Sequence, residues 1–463
     1  MKHSVVRIAT LVLALVMVLS YGCVSTEGRA SAEEKTTIRI WQRNSGAGGP
    51  LYEFSKWYTE SQDEINFVYE GYGENYDNMV QMALISDDVP DIFEVTSTMT
   101  VSDLAAAGYI LSLDDMLTDE FKAEFVPSTF VKKDYQYNGE IYCVPLRLAH
   151  YKLLYNTDLF AAAGIAEPPK TLEELREYAK LLTNEEEGVY GIGIYTNYND
   201  FWPRYIDAIN TARGKSAWHG FDYANGQFDF SAHKDVFNFW VDVSLDGSSF
   251  PGAVTLGVEQ MRAYFAQGKV AMMIDGNWMS TQYAMNIPTE INWSACDVPI
   301  FEGETRAVDY MNADIPFVVA ANGKNVNKAL EVLKTIYQNQ TEFRAFGECD
   351  TKTYIAANDP ACFEKLPTDK YRFQAYNEMN EIENHAAFPV EPHKFIVLEG
   401  DDRKAVMDDL YARAIDGEDV SAALDTALAD LNTRYNAALA EAVADGLLLE
   451  EEIKPEGFDW YNR

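Results

Sequence analysis

Apolar and polar positions along the chain fall into short alternating runs from residue 38 onward. "IRIWQ" (38–42), "INFVYEG" (65–71) and "DIFEV" (91–95) have the length and β-branched or aromatic content of buried strands. Each is followed by helical spacing, in "LYEFSKWYTE", "YDNMVQMALIS" and "VSDLAAAG". Strands follow at "GEIYCVPLRL" (139–148), "HYKLLYN" (150–156) and "VYGIGIY" (189–195). The stretch "MRAYFAQGKVAMMIDGNWMS" (261–280) gives a helix, a strand and a turn, and "INWSACDVPI" and "IPFVVA" give two more strands. Thr171 with Glu174 forms a predicted capping box at the start of "LEELREYAKLL". Helices are expected near 232–245 and 258–267 and through most of the chain beyond 361. Strand–helix alternation predicts α/β architecture with a parallel sheet. At 463 residues the chain exceeds one ordinary core, so two lobes are expected, with the chain crossing between them more than once.

Charge narrows the partners. With 37 basic and 73 acidic residues the formal charge is −36, the opposite of the positive footprint that nucleic acid or an anionic membrane surface requires. Lys2, His3 and Arg7 precede an apolar run, Ile8–Leu19, of signal-peptide length, and "SYGC" ends at Cys23. Cleavage before Cys23 would leave a cysteine for lipid attachment, and cleavage after Ala30-Ser31-Ala32 would release a soluble protein. Residues 1–22 are read as the signal peptide and 23–36 as a lipid-anchored linker. Cys349 and Cys362 are close enough for a loop-closing disulfide, and ordinary buried thiols are the alternative reading.

Catalytic patterns do not assemble. "GAGG" places Gly46 and Gly48 after the first strand, but Leu51 stands where a dinucleotide loop needs its third glycine. "RGKS" (213–216) has Ile209 where a phosphate loop begins with glycine. There is no G-x-S-x-G, HExxH, CxxC or calcium loop in the sequence, and no cofactor or metal is implied. Binding surfaces fare better. Open α/β sheets take ligands beyond the carboxyl ends of their strands. Trp41, Trp202 and Trp278 all follow strands in this way, with Asn277 beside the last. Flat rings stack on the C–H face of a sugar while polar side chains bridge its hydroxyls. Trp57 and Trp240 lie within helical patterns and are assigned to packing.

Several segments carry a family likeness. "PDIFEVTSTMTVSDLAAAGYILSLDDML" (90–117), the Gly-x-x-Tyr-x-Val-Pro and Leu-Tyr-Asn of 138–183, "FAQGKVAMMIDGNWMS" and "IDGEDVSAALDTALADLNTRYN" follow in order between Pro90 and Asn436. They resemble the family 1 extracellular solute-binding proteins, the substrate-binding lipoproteins of carbohydrate ABC importers of the maltose-binding type. The resemblance implies a two-lobe periplasmic-binding-protein-like fold (type II), each lobe a sheet flanked by helices, joined by hinge strands. Residues 37–148 plus 313–360 would form lobe 1, and 149–312 plus 361–463 lobe 2. It further implies a monomer, no enzymatic activity, a lipid anchor on the extracellular face of a bacterial membrane, and delivery of a carbohydrate to a permease. The family's stacking ring falls on Trp278, and its polar contacts on Arg43, Ser45, Asn197, Asn199 and Thr98. Ala149 replaces the hinge-strand acid of the maltose-binding type, with Arg147 on the same face. Arg43 and Arg147 together leave an acidic sugar such as a uronate open. A glycan-processing enzyme, or a binding protein for a peptide, polyamine or anion, is the alternative.

Overall fold

The structure, a computed structural model, describes residues 34–43, 49–86, 88–96, 98–130, 132–198, 201–287, 289, 291–369, 385–386, 388, 390–398 and 403–461. The expected leader, nearly all of the linker, Cys23, Ser45 and Asn199 lie outside these residues.

Among the described residues, nine strands share one sheet: β1 (Thr36–Gln42), β2 (Ile65–Gly71), β3 (Ile92–Glu94), β4 (Val144–Asn156), β5 (Tyr190–Ile192), β6 (Val270–Gly276), β7 (Trp293–Cys296), β8 (Asp309–Val319) and β9 (His385–Ala386). The order is β2-β1-β3-β8-β4-β6-β5, with β7 also on β4 and β9 on β8. The expected parallel sheet is a mixed one. β1 runs parallel to β2 and β3, and β6 to β5, as strand–helix–strand crossovers require. β8 is antiparallel to β3 and β4, and β4 to β6 and β7.

The segments 139–148 and 150–156, expected as separate strands, belong mostly to one. β4 runs unbroken for 13 residues. Its first half, through His150, pairs with β8; from Tyr151 onward it pairs with β6 and then β7. One side of this hand-over is packed by two clusters, one around Ile38, Phe54, Ile92 and Phe317, the other around Tyr76, Phe93 and Leu148. The other side holds a larger cluster built from Leu153, Trp202, Trp240, Met272, Tyr411 and Tyr435. The chain therefore folds as two cores on one shared strand ladder.

Local chemistry sets the helix ends. Pro50 opens the helix Pro50–Ser61, where its missing N–H needs no partner. Thr171 Oγ1 accepts from the Glu174 N–H at 3.1 Å while the Glu174 carboxylate accepts from the Thr171 N–H, the predicted capping box. Gly164, at φ 75°, ends the helix Thr157–Ala163 in the left-handed region. Cys349 and Cys362 are not bridged to each other: their Sγ atoms lie against the Gly347 and Ala356 carbonyls.

A mostly buried ion cluster beside β8 also ties the two cores. Lys132 Nζ meets Glu391 at 2.6 Å, with both side chains almost fully buried, and also reaches Asn312 on β8. Lys394 joins Glu391 at 2.7 Å and Asp134 at 3.0 Å, and the Tyr310 hydroxyl donates to Glu391. Neighbouring Tyr135 belongs to one core and Phe388 and Val390 to the other, so the quartet spans them.

Candidate functional site

The strand hand-over lies beneath a junction of aromatic and arginine side chains. β6 is buried throughout, and its last residues, Asp275-Gly276, lead into Asn277 and Trp278. Trp278 is partly exposed, and its ring lies 5.4 Å from the Arg147 guanidinium and 5.2 Å from that of Arg204. Arg147 comes from the half of β4 paired with β8, so its contact with Trp278 joins the two bodies. Tyr151, the first β4 residue on the far side, meets the Trp278 ring edge-on at 5.7 Å. Tyr151 also stacks on Trp218 at 5.2 Å, and Trp218 on Tyr310 at 5.3 Å.

Arg204 sits on a single π-helical turn, Pro203–Asp207, of the kind often found at functional sites. Its guanidinium lies over the Tyr151, Tyr198 and Trp278 rings and donates to Asp275 at 2.8 Å. Arg262 donates to the same carboxylate at 2.7 and 2.9 Å. Burial acts to raise the Asp275 carboxyl, yet Arg262 and Arg204 hold its pKa below the ordinary value. Burial likewise opposes the charge on Arg147, but Asp314 and Asp350 outweigh it and raise its pKa. Arg147 pairs with Asp314 and, at 2.9 Å, with Asp350. Ile315, beside Asp314, takes φ 55°, a strained conformation for a β-branched residue, and donates its N–H to Asp314 at 2.8 Å. Glu94, at the carboxyl end of β3, has its pKa pushed up to about 7 by burial and then by Asp314.

Trp218 is held from behind. His219 adopts φ 59°, and its N–H donates to the buried Asp207 carboxylate at 2.7 Å, which Arg403 also meets at 3.2 Å. The His219 and His393 rings stack 3.8 Å apart.

The sequence-derived candidates separate in this geometry. Trp278 and Arg147 come together at the junction. Arg43, at the end of β1, pairs with Asp77 and lies over the Tyr76 ring. Thr98 is exposed and accepts from Gln81 at 3.1 Å, and exposed Asn197 donates to the Thr255 carbonyl. Trp41 and Trp202 are corrections. Trp41 is 4% exposed, bonded through its indole N–H to Glu70 and packed on Tyr72. Trp202 is 1% exposed, donates to Asp408 at 2.7 Å and packs on Phe237 and Tyr411. Both rings belong to the core. Asn277, expected to face ligand, is fully buried instead. Its amide donates to the Leu148 carbonyl at 2.8 Å and to Thr351 at 3.3 Å, and its N–H to the His150 carbonyl. It staples three segments where the cores meet. Gly276 is needed for close approach rather than for a left-handed turn, since a Cβ there would meet Trp278 ring carbons at 2.1 Å. Tyr151, Trp218, Tyr198 and Arg204 were not singled out from sequence. The Trp-Pro-Arg of 202–204 was the available signal, and the partner acid that orients Arg204 lies 71 residues away.

Among the described residues, no cluster of three or more His, Cys, Asp or Glu side chains is arranged to hold a metal. No described helix is long and apolar enough to cross a membrane.

Two helix-flanked bodies on a shared sheet, with partly exposed rings and arginines where they meet, define the class of two-lobe binding proteins. The chain belongs to the bacterial extracellular solute-binding protein family, whose sequence profile matches residues 45–342. A binding protein of Brucella abortus is 27% identical over 252 residues, 53% of this chain and 57% of its own length. The melibiose/raffinose/stachyose-binding protein MelE of Bacillus subtilis is 21% identical over 297 residues, 62% of this chain and 66% of its own. These alignments thus span somewhat over half to about two thirds of the relatives' length. Among solved structures, the GacH receptor of Streptomyces glaucescens superposes with a TM-score of 0.63 at 18% identity, covering 88% of this chain and 100% of that one. A protein of Caldanaerobius polysaccharolyticus, studied for xylan utilisation, gives 0.65 at 21% identity, covering 87% and 99%. The fold is the type II periplasmic-binding fold.

Proposed function

We propose that the protein captures a carbohydrate, an oligosaccharide in particular, between its two lobes and delivers it to an ABC permease. The observation that carries this reading is the partly exposed Trp278, set between Arg147 of one lobe and Arg204 and Tyr151 of the other, with Trp218 stacked on Tyr151. A ring so placed offers an apolar face, and the surrounding polar groups offer hydroxyl partners. The relatives support it, since MelE is named for melibiose, raffinose and stachyose, and GacH was solved with acarbose. Trp278, Tyr151, Tyr198 and Trp218 would line the site, with Arg43, Arg147, Asn197 and Thr98 at its rim; Ser45 and Asn199 keep the roles the family resemblance gives them. Lobe 1 is taken as 37–148 plus 313–360 and lobe 2 as 149–312 plus 361–463. Ligand contacts from both lobes favour a closed arrangement, because only differential affinity shifts such an equilibrium.

No covalent chemistry is part of this function. Cys23 would carry the lipid that holds the monomer at the extracellular face of the membrane, and Cys23→Ser should release it into the medium. A thermal-shift screen of mono- and oligosaccharides tests the central claim, since a ligand that binds the folded state raises its stability. Stabilisation by at least one oligosaccharide, with the sugar recovered unhydrolysed, is expected. A screen in which no sugar moves the melting temperature would overturn it.

A further inference from the structure

We infer that the site is built for an uncharged saccharide and discriminates against its uronate-bearing counterpart, an inference that rests on the carbohydrate reading above. A protein that selects a carboxylate usually offers it an open guanidinium fork. Here each guanidinium already has a carboxylate counter-ion. Arg43 gives one terminal nitrogen to Asp77. Arg147 uses one terminal nitrogen on Asp314 and the other on Asp350. Arg204 divides its terminal nitrogens between Asp275 and the hydroxyls of Tyr195 and Tyr198, and Arg262 is bound to Asp275 and Glu259. Arg147 and Arg204 keep a buried Nε and some terminal N–H groups, but the charge of each guanidinium is already answered by a carboxylate.

The carboxylates are less fully matched. Asp314 answers Arg147 yet keeps 37% of its side chain exposed. Glu94 stands close enough to Asp314 for that charge to help raise its own pKa, and the hydrogen bond it accepts from Arg43 is from the backbone N–H. A ligand carboxylate would lose its water without gaining an unanswered cation, and would face the exposed part of Asp314 with Glu94 beside it. A sugar hydroxyl meets the opposite situation, because ionised carboxylates accept the protons it donates. The formal charge of −36 on the whole chain acts in the same direction on approach.

The test is calorimetry on matched pairs: xylotetraose against its glucuronate-branched form, and galactotriose against trigalacturonate, with maltotriose and raffinose as further neutral probes. The neutral member of a bound pair should bind at least ten-fold more tightly, and Asp314→Asn, which frees part of the Arg147 fork, should narrow the gap. Glu94→Gln provides a second charge variant should Asp314→Asn fail to fold. A uronate that binds as tightly as its neutral counterpart overturns the inference, and so does a gap that neither substitution narrows. If neither neutral nor acidic sugars bind while a non-sugar such as spermidine does, the carbohydrate reading itself falls and this inference with it.

Discussion

Gly276 and the indole of Trp278 are in direct contact: the ring lies against the glycine so closely that a Cβ would stand 2.1 Å from two of its carbons. The last residue of β6 thereby sets where the ring can rest. Gly276→Ala must push the indole away from Arg147 and Arg204. Ligand affinity measured by calorimetry should fall at least ten-fold, about 1.4 kcal/mol, while circular dichroism stays native. An alanine variant with unchanged affinity would remove Trp278 from the site.

Trp202 and Trp278 should respond in opposite ways to truncation. Trp202→Ala empties a core position and should lower stability by about 3–5 kcal/mol in urea titrations, with little change in the affinity of the molecules that remain folded. Trp278→Ala should lower affinity by about 1–3 kcal/mol with only a small loss of stability. Equal effects of the two substitutions on binding would erase the distinction drawn between a core ring and a presented one.

The ion quartet around Glu391 is sensitive to the loss of one partner. Glu391→Gln leaves Lys132 buried without its nearest carboxylate, so denaturant unfolding should show a loss of about 3–5 kcal/mol. A loss under 1 kcal/mol, on the order of an exposed pair, would mean the quartet is hydrated in solution.

Two groups give pH dependence of opposite sign. Burial lowers the pKa of His393 to about 3, Glu391 only partly offsetting this, and burial with His393 and Arg403 lowers that of His219. A folded pKa below the unfolded value gives stability that is present above about pH 6.5 and lost as the pH falls toward 3. Glu94, raised to about 7, contributes in the other sense, with stability present below about pH 4.5 and lost as the pH rises through 7. Urea midpoints of His393→Gln should therefore gain on the parent between pH 6 and 4, and those of Glu94→Gln between pH 5 and 8. A difference that stays flat across either window counts against the corresponding group.

Much of the fold was legible because its signals are local. The runs that became β1, β2 and β3, and the Thr171 capping box, depend on residues within one element. The errors arise where a residue's surroundings come from far away. Trp41 follows the buried Ile38 and Ile40 in a strand whose two faces are both covered, so alternation could not show whether its ring faced outward. Trp202 is claimed by Tyr411 and Asp408, over two hundred residues further on. Arg204 looks like an ordinary cation until Asp275, Tyr151 and Tyr198 gather around it. The Trp278 signature, by contrast, holds its own explanation within three residues.

The unbroken β4 has a thermodynamic corollary. Its backbone hydrogen bonds serve β8 at one end and β6 and β7 at the other, so neither core can melt without fraying a strand that the other needs. The two cores should lose structure together, in a single calorimetric transition whose van't Hoff and measured enthalpies agree, rather than as two independent melting steps.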